Sequence, residues 1–180
     1  MKLSAKLIQL TLSFVFVFGV FANAEAADFP KFIQKKIDKT VKKTFVDQEV
    51  DFEALNVTSS LAYENLHNVK IKVLKSENQP IGFAGFASSK GKNDDFDYMV
   101  LFDNDLKILK VVVLVYRSSY GGEIMAKSWL KQFVGKSSGE NMEFDKDIDS
   151  ISGATISAPA ITKGIKALSL LMTEVLMVND

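Results

Sequence analysis

Asp149-Ser150-Ile151-Ser152-Gly153-Ala154-Thr155-Ile156-Ser157 runs straight into Ala158-Pro159 and a long apolar helix, and the chain is organised around that junction. Gly153 has no Cβ, so the backbone there can adopt φ > 0 and approach a ligand closely. Ala154 adds almost no bulk. Ser152, Thr155 and Ser157 place hydroxyls close together. Ser157 suits a helix N-cap, and Pro159 suits a first helical turn. A helix N-terminus offers N–H groups without intrahelical partners and a partial positive charge, so an anion is stabilised there. The local chemistry is that of a phosphate beside a hydroxyl. A capped helix start after a tight turn draws on the same residues.

Downstream, Ile161, Ile165, Leu168, Met172 and Val175 form one stripe at helical spacing between about Ala158 and Met177. Gly164 interrupts that helix at a cost of roughly 1 kcal/mol against Ala, which points to close packing or to cofactor approach.

Upstream, four strand-like runs alternate with turn signals: Val69–Leu74, Ile81–Ala87, Phe96–Phe102 and Ile108–Tyr116. Val111-Val112-Val113-Leu114-Val115 is apolar at every position, as in a strand covered on both faces. Val50–Val57 alternates loosely and admits a further short strand. Gly121-Gly122 follows the fourth run and precedes a predicted helix over Glu123–Phe133. The pair either brings backbone N–H groups to an anionic group or makes a plain turn. Gly135 suits the end of that helix. Ser128-Trp129-Leu130-Lys131 fits S-x-x-K but lacks the partner motifs of penicillin-binding chemistry. Strands followed by helices predict an α+β fold: an antiparallel sheet of about four strands with helices packed on one face.

Composition bounds the function. The 180 residues include 22 basic and 22 acidic side chains, so the formal net charge is zero and nucleic acid is not the expected partner. There is no Cys and a single His, His67, so disulfides, iron–sulfur clusters, thioether-linked haem and His-rich metal centres are excluded. No metal site is expected. Met1–Ala26 reads as a secretory signal peptide: Lys2 and Lys6, then the apolar Leu7–Phe21, then small-x-small cleavage sites ending at Ala24 and at Ala26. The apolar run is shorter than the ~20 residues of a spanning helix. The protein is therefore expected outside the cytoplasm, periplasmic in a bacterium. Residues 27–66 are expected to hold an N-terminal helix and connecting segment, and residues 67–178 the functional domain. Phe32, Ile33, Ile37, Val41 and Phe45 make the apolar side of that N-terminal helix. Lys31, Lys35, Lys36, Lys39, Lys42 and Lys43 fill the rest, as a solvated face or as a docking surface for an acidic partner or lipid headgroups.

The pattern D-x-x-S-G-A-T-x-S, complete from Asp149 to Ser157, resembles the flavinylation motif of the FMN-binding domain family. That family includes the flavinylated subunits of the sodium-pumping quinone reductase and of the Rnf complex. Tyr120-Gly121-Gly122-Glu123 and Phe133-Val134-Gly135-Lys136 are similar to the family's glycine turn and its F-x-G-K helix end. The resemblance spans roughly Val69 to Met172.

It implies that Thr155 carries FMN through a phosphoester, attached by a separate flavin transferase that uses FAD and magnesium. It also implies that Ser152, Gly153, Ala154, Ser157, Gly121, Gly122 and Lys136 contact the cofactor, and that Asp149 belongs to the transferase recognition sequence. Neutral threonine is a poor nucleophile and no His lies in the motif, which suits a chain modified by another enzyme. The expected function is an extracytoplasmic electron carrier between a membrane redox donor and an extracytoplasmic acceptor, not an enzyme, with no catalytic residues of its own. Non-covalent FMN binding, a flavin reductase component and a cofactor-free secreted module are the alternatives. Without a membrane helix beyond the signal, a free or loosely docked carrier is expected in preference to a component of a sodium pump.

Overall fold

The computed structural model describes residues 29–55, 66–137 and 140–179; the signal segment over residues 1–26 lies outside them. The chain runs α1 (Lys31–Thr44), β1 (Asp51–Leu55), β2 (His67–Ser76), β3 (Gln79–Lys90), β4 (Asp95–Phe102), β5 (Ile108–Val115), α2 (Lys127–Leu130) and α3 (Ser157–Asn179). The five strands form one sheet in sequence order, each antiparallel to the next. The α+β class and the antiparallel meander are as expected. The loosely alternating run near Val50 supplies the fifth strand, at the sheet edge beside β2.

Helices cover both faces of the sheet, not one. Alternation along β4 shows why. Phe96, Tyr98, Val100 and Phe102 point to one core, which Ile161, Ile165 and Leu168 of α3 complete. Met99 and Leu101 point to the other, closed by Ile33, Ile37, Val41 and Phe45 from α1 and its C-terminal end. Successive strand side chains face opposite ways, so a strand between two cores is apolar at every step. That accounts for the unbroken Val111–Val115 run. Each of these fully buried Ile and Leu side chains contributes roughly 1.5–3 kcal/mol. Phe32 lies off the buried stripe of α1 and is 68% exposed.

Glycines set the approach of α3 to the sheet. A Cβ on Gly164 would fall 2.2 Å from Tyr98 Oη and 2.4 Å from Ser89 Oγ, and one on Gly85 would meet Leu168. Gly164 is thus explained by helix–sheet packing, not by a cofactor.

The predicted helix over Glu123–Phe133 is broken. A 3₁₀ turn covers Gly122–Met125, Ala126 turns extended (φ −63°, ψ 120°), α2 makes a single turn, and a second 3₁₀ turn covers Lys131–Phe133. Ile124, Trp129, Leu130 and Phe133 are all buried against the α3 side of the sheet. Their spacing looked helical because each short turn presents one face inward.

Candidate functional site

Three segments meet at the N-terminus of α3. The β3–β4 turn brings Lys92, the loop after β5 brings Tyr120 and Gly121, and the turn before α3 brings Gly153, Ala154, Thr155, Ile156 and Ser157. Together they line an open cleft of about 170 Å³.

Gly121 fixes the fit of loop against helix. Its φ is +85°, and a Cβ there would lie 2.5 Å from both Ser157 Oγ and Tyr116 Oη. The Tyr116 phenol lies 2.5 Å from the Tyr120 carbonyl and 2.8 Å from Ser157 Oγ. A carbonyl can only accept, so Tyr116 donates its proton to Tyr120 and Ser157 donates to Tyr116. Ser157 is therefore not an N-cap. It is the first residue of α3, buried, with its hydroxyl turned to Tyr116. Ala158 N–H bonds to the Ala154 carbonyl at 2.9 Å and Ala160 N–H to that of Ile156 at 3.3 Å. Among the described residues the N–H groups of Thr155 and Ile156 have no hydrogen-bond partner, as is usual before a first helical turn.

The motif turn is anchored from outside the cleft. Trp129 Nε1 donates to the Asp149 carbonyl at 2.7 Å, and Asp149 N–H donates to Gln132 Oε1 at 2.8 Å. Ala154 N–H returns to the Ile151 carbonyl at 3.2 Å. Gly153 has φ +90°, and a Cβ on it would fall 2.6 Å from Glu123 Oε1. Ala154 is buried, whereas the side chains of Asp149, Ser152 and Thr155 are exposed.

The structure brings Gly121, Gly153, Ala154, Thr155 and Ser157 into one cleft. Gly122 adjoins it. Asp149 and Ser152 lie on the turn that leads in but do not line it. Lys136 stands elsewhere: its carbonyl accepts from Ile108 N–H at 2.9 Å, at the start of β5. The cleft is at the other end of that strand, roughly 23 Å away along seven residue steps. Sequence reading missed Lys92, Tyr116 and the cleft role of Tyr120. Lys92 Nζ sits 5.2 Å from the Tyr120 ring centroid, and that ring is 66% exposed.

These residues suit FMN. An exposed hydroxyl and unpaired N–H groups at a helix start suit its phosphate. An exposed aromatic face suits stacking against a planar ring, and the nearby Lys92 charge suits its phosphate.

Comparison with known families agrees. Residues 91–169 match the family model of the FMN-binding domain, and the match takes in every candidate cofactor residue. The chain thus carries an FMN-binding domain over this stretch, as the S-G-A-T resemblance implied. The match begins in the β3–β4 turn, later than the roughly Val69 start of the resemblance. No curated protein matches the chain.

Proposed function

We propose that this protein is an extracytoplasmic electron carrier in which FMN is held by a phosphoester to Thr155 Oγ, attached by a separate flavin transferase. The observation that carries the reading is the position of Thr155. Its side chain is exposed at the mouth of a cleft built from the motif turn, the glycine loop and Lys92.

The size of the cleft supports a covalent link. At about 170 Å³ it is smaller than the roughly 300–1,000 Å³ of pockets that enclose free ligands. A shallow seat retains a cofactor poorly without a bond. Forming the Oγ–P bond breaks the FAD pyrophosphate and releases AMP, with the threonine proton passing to the transferase. This chain then needs no base of its own, and its one histidine stands at the start of β2. The N–H groups of Thr155 and Ile156 and the start of α3 favour the phosphate charge. Tyr120 offers a ring face and Lys92 a positive charge. Gly121 holds the loop against the helix so that these groups share one cleft. Bound FMN supplies the redox chemistry, and the protein supplies position and electrostatics. Asp149, exposed and rigidly presented through its backbone, is the recognition element for the transferase. Residues 1–26 direct export, and electrons pass from a membrane donor to an extracytoplasmic acceptor. No helix among the described residues is long and apolar enough to cross a membrane.

The test is the intact mass of the exported protein after co-expression with a flavin transferase, FAD and magnesium. The expected gain is the mass of FMN minus water, on the peptide that contains Thr155. An unmodified mass, or flavin released by acid, overturns the covalent reading.

A further inference from the structure

We propose that the groove between α1 and α2, along the outer edge of β5, docks an extended acidic segment of a partner protein. The groove encloses about 810 Å³ and is lined by Lys36, Lys39, Lys43, Lys110 and Lys127, with no acidic side chain in its walls among the described residues. Lys131 extends the array into the adjoining hollow beside Val134. The whole chain balances 22 basic against 22 acidic residues, so this concentration of one sign is local. Leu109, Met125 and Leu130 give the groove an apolar floor.

The lysines of α1 divide by helical geometry. Lys36, Lys39 and Lys43 recur at i, i+3 and i+7 and share the groove face. Lys31, Lys35 and Lys42 lie on another stripe outside it. Lys36 has a structural task as well, donating to the Val113 carbonyl at 2.7 Å and the Leu114 carbonyl at 3.2 Å. A lysine set against an edge strand blunts unwanted strand pairing. One lysine suffices for that, and among the described residues no carboxylate lines the groove across from the other four.

The recessed shape selects the occupant. A bilayer surface is flat and meets convex basic patches, whereas a lone chain can enter a trough. A basic rim over an apolar floor fits a segment that alternates acidic and apolar residues, since extended side chains point alternately to opposite sides. The trough also adjoins the cofactor cleft. Met125 lines it, and the Met125 Cε lies 3.2 Å from where a Gly122 Cβ would be. A partner held in the trough is therefore brought beside the glycine loop.

The probe is a fluorescein-labelled peptide of alternating Glu and Val, titrated into the purified full chain and followed by anisotropy. Binding is expected to weaken about tenfold between low and physiological salt, because screening acts on exposed charges. The triple variant Lys39→Glu, Lys110→Glu, Lys127→Glu should weaken it about tenfold or more. The triple variant Lys31→Glu, Lys35→Glu, Lys42→Glu changes net charge equally but lies outside the groove, and should stay within about twofold of the parent. Circular dichroism of both variants confirms that the fold is kept. Equal loss in both triples would show attraction to net charge alone and sink the proposal. So would absence of peptide binding, or phosphatidylglycerol vesicles bound through the groove lysines when the peptide is not.

Discussion

Tyr116 Oη lies 2.8 Å from Ser157 Oγ, so one hydrogen bond joins the segment that leaves β5 to the first residue of α3. The same phenol holds the Tyr120 carbonyl. The glycine loop and the motif turn are thereby registered to one another through a single ring. Tyr116→Phe removes both bonds and leaves the buried Ser157 hydroxyl without its partner. The expected loss is about 1–3 kcal/mol in urea unfolding. Adding Ser157→Ala to that variant should cost little more, because the two residues act as a pair. Fully additive losses would show that the bond does not couple them.

Gly121→Ala should be more damaging than Gly153→Ala. Both positions have positive φ, which costs a residue with a Cβ roughly 1–2 kcal/mol. At Gly121 the new methyl also meets Ser157 and Tyr116, which are locked together. At Gly153 it meets the end of the Glu123 side chain, which is exposed and can swing away. Thermal melts of the two variants decide this, and equal destabilisation would count against the locked pair.

Thr155→Val tests attachment without testing folding. The side chain is exposed, so stability should change by no more than about 0.5 kcal/mol. Covalent flavin should vanish, and Thr155→Ser should retain some because a hydroxyl remains. Flavin still bound to Thr155→Val after denaturation would place the attachment elsewhere.

Tyr98 makes stability fall at alkaline pH. Burial pushes its phenol well above the usual tyrosine value, with the Ser89 hydroxyl opposing the shift. In the unfolded chain Tyr98 ionises near about pH 10, while in the folded chain it stays neutral. Its contribution is therefore full below about pH 10 and declines as pH rises beyond it. Tyr98→Phe should flatten that part of the urea-midpoint profile, and an unchanged slope would assign it to other groups.

Periodic elements were legible in the sequence and long-range encounters were not. The α3 stripe from Ile161 to Val175 is buried at every named position. The Val111–Val115 run also declared both its faces covered, which already conflicted with helices on a single face. Ile33, Ile37 and Val41 named the helix that resolves the conflict, but nothing local says which face a helix will take. The broken segment over Gly122–Phe133 was misread because Trp129, Leu130 and Phe133 keep helical spacing while Ala126 leaves helical backbone. At the site, Gly153 to Ser157 are contiguous and could be read directly. Lys92 reaches them from the β3–β4 turn and Tyr116 from the end of β5, so only folding brings them in. Ser157 looked like a cap because its type and position suit one. A phenol distant in sequence took its hydroxyl instead.

The sheet lies between two cores, with the cleft at the start of α3 at the edge of one and α1 sealing the other. Strands of this kind act as insulation. Substitutions on the α1 side, at Leu74, Met99 or Leu101, touch the layer that Tyr116 and Ser157 do not belong to, and should leave the cleft in place. The α1 side can then accept changes of sequence that leave the cleft at the start of α3 undisturbed.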